Sequence, residues 1–263
     1  MANDKPTDLY NMIRRALTAQ VEMGMPEVIL NTAATSSEQM SSRIASVEEA
    51  LSASSPAAPA EYSGSLFGEP EPTHTEPQFD SLEEHYEAIC NCQKCPLGQT
   101  RNKFVYGAGN PKAEVMFVGE APGADEDRLG EPFVGRAGQL LDKILAAIKF
   151  DRTQIYIANI LKCRPPGNRD PQPDEMAQCF PYLKEQVALI QPKLICALGR
   201  IAAQAMLDTK TPLGKLRGRW HEYEGVPMLV TYHPAALLRN PAFKRGTWED
   251  VQLLRQRYDE QVG

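Results

Sequence analysis

Four short apolar runs punctuate the C-terminal two thirds of the chain: Val115–Gly119 (VMFVG), Ile155–Ile160, Leu194–Gly199 (LICALG) and Met228–Tyr232. None alternates apolar with polar residues, which is the pattern of strands buried on both faces. Between the runs the apolar period lengthens. Leu140, Leu141, Ile144, Leu145 and Ile148 fall on one helical stripe, and Met176, Phe180, Leu183, Val187 and Ile190 on another. A third helix is expected to start near Arg200 and a last one to cover Trp248 to Tyr258. Strands alternating with helices predict an α/β fold whose parallel sheet is covered on both faces. Functional loops of such a sheet lie at the carboxyl ends of its strands.

The first 80 residues differ. Leu9, Met12, Ile13, Ala16 and Leu17 fit one helix face, and Met40, Ile44, Val47 and Leu51 fit another. From Ser52 to Asp80, five prolines sit among Ser, Ala and Glu, with only Leu66, Phe67 and Phe79 large and apolar. That segment cannot bury enough surface to offset its ordering entropy. Residues 1–80 are therefore expected to form an extension of weak helices plus a disordered linker, and residues 81–263 the folded domain. The segment 1–51 reads either as marginal helices tethered to that domain or as an arm that docks a partner.

Composition narrows the class. The chain has 263 residues, 42% hydrophobic and 24% charged, as in ordinary globular proteins. No apolar run approaches the ~18 residues of a membrane-spanning helix, and the N-terminus lacks a basic n-region followed by an apolar h-region. A leaderless chain is expected in a reducing, cytoplasmic compartment. There its six cysteines serve packing, catalysis or metal binding rather than a disulfide scaffold. The net charge of −6 is uneven: residues 1–80 carry four basic and twelve acidic side chains, the remainder 24 and 22. The folded domain can thus meet a polyanion locally despite the acidic total.

Cys92-Gln-Lys-Cys95 opens the domain in a polar stretch where packing is a poor role for a thiol. Cys163 precedes the rigid Arg164-Pro165-Pro166, and Cys179 falls on the next helix. Four soft ligands suit tetrahedral zinc or an iron–sulfur cluster, and spacing does not decide between them. Cys196, inside LICALG, reads as a small buried hydrophobe. Cys90 is a spare.

After the first strand, Gly119 to Asp127 (GEAPGADED) is followed by Gly130 to Gly138 (GEPFVGRAG). The loop lacks the Gly-Lys-Ser/Thr of a phosphate loop, and its acids would repel phosphate. It offers instead backbone amides and one strand-end carboxylate, Glu120. Phe133 stands between Pro132 and Val134. Asn159 ends the second strand. His233 follows the fourth, stiffened by Pro234, and leads into Ala235–Leu238 flanked by Arg239, Lys244 and Arg245. Exposed leucines among cations fit a wedge entering a base stack between phosphate contacts.

Together the motifs CxxCPL, GEAPGADED, PFVGRAGQLL, NILKCRPPGNRDP and HPAALLRNP resemble the family 4, iron–sulfur uracil-DNA glycosylases. The resemblance spans about 170 residues from Cys92 onward. It implies a three-layer α/β/α sandwich around a short, mainly parallel four-stranded sheet, and a [4Fe–4S] cluster, rather than zinc, on Cys92, Cys95, Cys163 and Cys179. It further implies that Gly119, Glu120 and Ala121 face a flipped uracil, Phe133 stacks on it, Asn159 reads its edge and His233 faces O2. Glu120 and His233 would be the catalytic pair, Leu237 the wedge and Arg239 a backbone contact. The implied reaction is hydrolysis of the N-glycosidic bond in single- and double-stranded DNA, by a monomer of the bacterial cytosol or nucleoid. Residues 1–51 would then recruit a repair or replication partner. Two alternatives stand beside this: a nucleic-acid-binding or redox-sensing metal protein without turnover, and a related branch that links covalently to DNA. That branch carries an Arg-rich loop ending in His, whereas the stretch here, RGRWHEYEG, keeps only His221.

Overall fold

The computed structural model describes Thr18 and residues 78–262. The helical patterns, linker and docking arm expected over residues 1–77 otherwise lie outside the described residues. The Gln78 and Phe79 backbone amides both donate to the Glu185 carboxylate, at 2.6 and 3.0 Å, and the Phe79 ring stacks on His85 with centroids 5.0 Å apart.

In chain order the elements are α1 (Leu82–Ile89), α2 (Leu97–Thr100), β1 (Ala108–Gly109), β2 (Val115–Gly119), α3 (Ala124–Leu129), α4 (Arg136–Ala147) and β3 (Tyr156–Asn159). There follow α5 (Pro173–Ile190), β4 (Leu194–Leu198), α6 (Arg200–Met206), α7 (Leu213–Leu216), β5 (Trp220–Tyr223), β6 (Val226–Thr231), α8 (Pro234–Arg239) and α9 (Phe243–Val262). Among the described residues six strands form one sheet in the order β1-β3-β2-β4-β6-β5. The four expected strands are β2, β3, β4 and β6, all parallel. Antiparallel β1 and β5 extend the two edges. Neither carries an apolar run: β1 has two residues, and β5 reads WHEY with only Tyr223 buried.

The uninterrupted apolar strands divide their side chains between two cores. Along β2, Met116 and Val118 join one cluster with α5 residues Leu183 and Val187. Val115 and Phe117 join the other with Leu141 and Ile144 of α4 and Val251 and Leu254 of α9. That is the three-layer sandwich. Local chemistry sets the helix ends: Ser81 caps α1 by accepting from Glu84 N at 3.1 Å, while α5 begins with Pro173 and a Gln172–Glu175 capping box.

The neighbours β2 and β4 send their connections in opposite directions, β2 to β3 and β4 toward β6. A crevice opens where connections diverge, outside the carboxyl ends of the strands. Among the described residues no helix is long and apolar enough to cross a membrane.

Candidate active site and candidate metal centre

A cavity of about 290 Å³ occupies that crevice, with Glu120, Ala121, Phe133, Asn159, His233 and Arg239 in its wall. Glu120 and Ala121 follow β2, Asn159 is the last residue of β3 and His233 follows β6 by two residues. Gly119 is the register partner of Asn159. The structure therefore brings together the residues expected from four separate stretches of sequence.

Asn159 is 2% exposed, yet its side-chain Oδ1 has no hydrogen-bond partner. A buried polar atom left unpaired costs about 1–3 kcal/mol, and this amide oxygen, at the cavity wall, is open to a hydrogen-bond donor inside the cavity. Phe133 also departs from local preference: it is buried with a positive φ of 54°, a region a bulky residue rarely adopts. Its turn is held from two sides. Val134 N and Gly135 N donate to Glu126 at 3.0 and 2.9 Å, and Arg152 donates to the Pro132 carbonyl at 3.1 Å and to the Phe133 carbonyl. The Phe133 ring centroid thereby sits 5.3 Å from that of His233.

His233 caps α8. Its Nδ1 accepts from the Ala235 amide at 3.1 Å, so in the neutral ring the proton resides on Nε2. Burial, with the Arg239 cation adding to it, lowers the imidazole pKa to about 4. Glu120 is raised above the usual carboxylate range by burial and by Asp170, against the pull of Arg200 and Arg239. The site thus holds a neutral imidazole with a free N–H donor and a carboxylate of weakened acidity.

One expectation needs correction. Leu237 is 1% exposed and packed in the core with Leu141 and Trp248, so it does not project as a wedge. HPAALLRNP folds into a short helix, α8, which turns position 237 toward α4 and leaves Leu238 outward at 46% exposure. Arg239 is exposed and borders the cavity. His221 lies on β5, is bonded to the Leu216 carbonyl at 2.8 Å and is absent from the cavity wall.

On the side of the sheet covered by α5, Cys92, Cys95, Cys163 and Cys179 line one small cavity together with Phe104 and Tyr182. Three of the sulfurs accept hydrogen bonds: Cys92 from Tyr182 Oη at 3.2 Å and Lys94 N at 3.4 Å, Cys163 from Arg101 at 3.4 Å, Cys179 from Lys162 N at 3.3 Å. Burial raises the Cys163 thiol and pushes Cys179 to about 12. Among the described residues no three His, Cys, Asp or Glu side chains are placed to hold one metal ion. Cys196 is fully buried in β4, as expected, and Cys90 lies outside the cavity, bonded to the Glu87 carbonyl at 3.6 Å.

Five contributors escaped sequence reasoning. Asn168, Arg169 and Asp170 complete the cavity wall. Their loop is anchored by Arg169 to Glu175 at 2.9 Å, and positive φ values at Gly167 and Asn168 turn it inward. The Gly-Asn pair was a turn signal. Glu126 gave no local sign of its backbone clamp, and neither did the buried Lys162.

Residues 106–252 match the sequence model described as the uracil DNA glycosylase superfamily. The chain is similar to proteins named type-4 uracil-DNA glycosylase from three organisms. Identity is 46% over 174 residues for Archaeoglobus fulgidus, covering 63% of this chain and 87% of the relative. It is 45% over 187 residues for Sulfurisphaera tokodaii, covering 68% and 85%. For Pyrobaculum aerophilum it is 43% over 182 residues, covering 65% and 92%.

Proposed function

The chain belongs to the uracil DNA glycosylase superfamily, and from that premise we propose that it excises uracil from DNA as a type-4 enzyme. It is a DNA-repair glycosylase, a hydrolase of N-glycosyl bonds. The observation that carries the assignment of the site is the unpartnered Oδ1 of Asn159 beside Phe133 and His233 in one cavity.

Uracil within a duplex is out of reach, so it is extruded at a cost of roughly a few kcal/mol. In this reading the ring lies against Phe133, and the Asn159 amide accepts from N3–H and donates to O4. Cleavage leaves positive charge on the sugar and negative charge on the departing base. The Nε2–H of His233 faces O2 and stabilises that negative charge as it develops; a neutral imidazole whose other nitrogen is capped supports this role. Water captures the sugar, with Glu120 at the strand end to orient it or to crowd the C5 edge against thymine. Leu238, not Leu237, fills the vacated stack, and Arg239 meets the phosphate backbone.

We assign the four-cysteine site to a [4Fe–4S] cluster held by Cys92, Cys95, Cys163 and Cys179. Four thiols from three separate stretches of the chain, gathered around one cavity, support this assignment. Through Cys92 and Cys95 in the α1–α2 turn, Cys163 after β3 and Cys179 on α5, such a group when bound would cross-link three parts of the chain. Single- and double-stranded uracil-DNA are the substrates, the chain works as a monomer, and the compartment is the one that holds the DNA, the cytosol in a bacterial cell.

The test is incubation of the purified chain with a uracil-containing oligonucleotide followed by alkali. Strand breakage at uracil is expected. Tight binding without breakage would leave a non-catalytic nucleic-acid-binding protein.

A further inference from the structure

Lys162 has no solvent exposure at all. Its ammonium donates to two neutral acceptors, the Asn159 carbonyl at 2.9 Å and Gln186 Oε1 at 2.6 Å. No ion pair to a carboxylate is formed by it among the described residues. A buried ammonium without an anion is one of the costliest arrangements in a protein interior, so a counter-charge is expected close by. The candidates are the thiols. Cys163 is the next residue in the chain, the backbone amide of Lys162 donates to Cys179 Sγ at 3.3 Å, and Cys179 lies within electrostatic reach of the ammonium. Cysteines that ligate a metal are thiolates. Arg101 meets the same site from the other side, through Cys163 Sγ and the Cys92 and Cys90 carbonyls.

The other end of this arrangement reaches the base-reading residue. Gln186 is itself fixed, donating to the Tyr106 carbonyl at 3.0 Å. The ammonium therefore ties the backbone of Asn159, at the end of β3, to α5, the helix that carries Cys179. Resting on the functional reading above, we infer that Lys162 is a positioning residue. It fixes the carbonyl of Asn159 so that the amide faces the cavity, and it takes its counter-charge from the thiolates of the four-cysteine site.

The experiment uses the full chain, prepared anaerobically, as parent, Lys162→Met and Lys162→Gln. It reads kcat and KM on a single-stranded uracil oligonucleotide, and the reduction potential of the bound iron by voltammetry. Lys162→Met removes both donor and charge. It is expected to lower kcat about tenfold or more with KM within about threefold, and to make the potential more negative, because a lost cation disfavours added negative charge. Lys162→Gln keeps a donor and loses the charge, so it recovers part of kcat at the same lowered potential. A merely structural lysine predicts parent values for both, and that result overturns the inference; so does parent-like kcat in Lys162→Met, or an unchanged potential in both variants.

If the Lys162 variants fail to accumulate as folded protein, Gln186→Leu supplies the second reading. It strips one acceptor and leaves the charge, so kcat is expected to fall about threefold or more at unchanged potential. Parent-like kcat there overturns the strut. A parent protein without uracil excision or without iron sinks the functional reading, whereas an active, iron-bearing parent with parent-like variants sinks the role of Lys162 alone.

Discussion

Gly119 and Asn159 stand opposite one another at the carboxyl ends of β2 and β3, and a side chain at Gly119 would occupy the space of the Asn159 amide oxygen. A Cβ built there also lies 2.7 Å from the Phe133 ring. Gly119 is thus required for close approach and not for an unusual backbone angle. Gly119→Ala is expected to push the amide and the ring apart, cutting kcat/KM on single-stranded uracil by about 100-fold and costing about 1–3 kcal/mol of stability from overpacking. Steady-state kinetics with a thermal melt reads both; a variant of parent-like activity would show that Phe133 and Asn159 do not jointly hold the base.

In the proposed site the same amide would decide which base is accepted. Uracil presents O4 as an acceptor and N3–H as a donor, and cytosine inverts both. Asn159→Asp is expected to lose most uracil excision and to gain slight activity on cytosine, since a carboxylate accepts from the 4-amino group and repels O4. Mispaired groups in a buried pocket cost about 1–3 kcal/mol each, so a loss of roughly 10- to 100-fold or more is expected. Near-normal uracil excision by this variant would make Asn159 a scaffold residue.

Much of this site was legible because its parts announce themselves locally. Apolar runs fixed where β2, β3, β4 and β6 end, and strand ends are where chemistry collects, so Glu120, Asn159 and His233 were found one at a time. Cys92 and Cys95 stood out for lying in a polar stretch, and Cys163 for preceding a rigid loop. What stayed hidden depends on three-dimensional neighbours. The side of α8 that faces the core buries Leu237 and leaves Leu238 exposed, and a run of two leucines does not say which faces inward. Lys162 looked like any lysine beside a cysteine, although no water reaches it. The edge strands β1 and β5 lack an apolar signature because an edge buries so little.

The neutral state of His233 makes a prediction about pH. Its folded pKa of about 4 lies below the unfolded value of 6.5, and His85, lowered to about 4 by burial and by Lys162, behaves alike. Above pH 6.5 both rings are neutral in either state. As pH falls from 6.5 toward 4 the unfolded chain takes up protons that the folded one refuses, so stability drops through that window. kcat is expected to show no limb near pH 6.5 from His233. A limb there that disappears in His233→Gln would show that the working imidazole is a cation.

The four-cysteine site predicts colour and cohesion. Anaerobically prepared protein is expected to be brown, with broad absorbance near about 400 nm and iron matched by sulfide. Cys163→Ser is expected to give colourless, poorly folded protein, because one ligand lost frees the loop after β3 from α5. Cys90→Ser, whose sulfur lies outside the cavity, is expected to keep full iron content. Stoichiometric zinc with no iron in the parent would overturn the cluster.

The last prediction separates two adjacent leucines. Leu237 is packed among Leu141, Trp248 and Val251, so Leu237→Ala leaves a cavity and is expected to cost about 2–5 kcal/mol of stability. It should lower activity on single- and double-stranded uracil by the same factor, since nothing about the duplex depends on a side chain that never meets it. Leu238 is 46% exposed, so Leu238→Ala is expected to leave stability within about 0.5 kcal/mol. It should weaken action on duplex uracil several times more than on single-stranded uracil, because only the duplex has a vacated stack to fill. Melting curves and the ratio of the two kcat/KM values measure this directly. If Leu237→Ala shifts the ratio while Leu238→Ala does not, α8 must unwind on DNA and deliver the inner leucine, and the wedge returns to position 237.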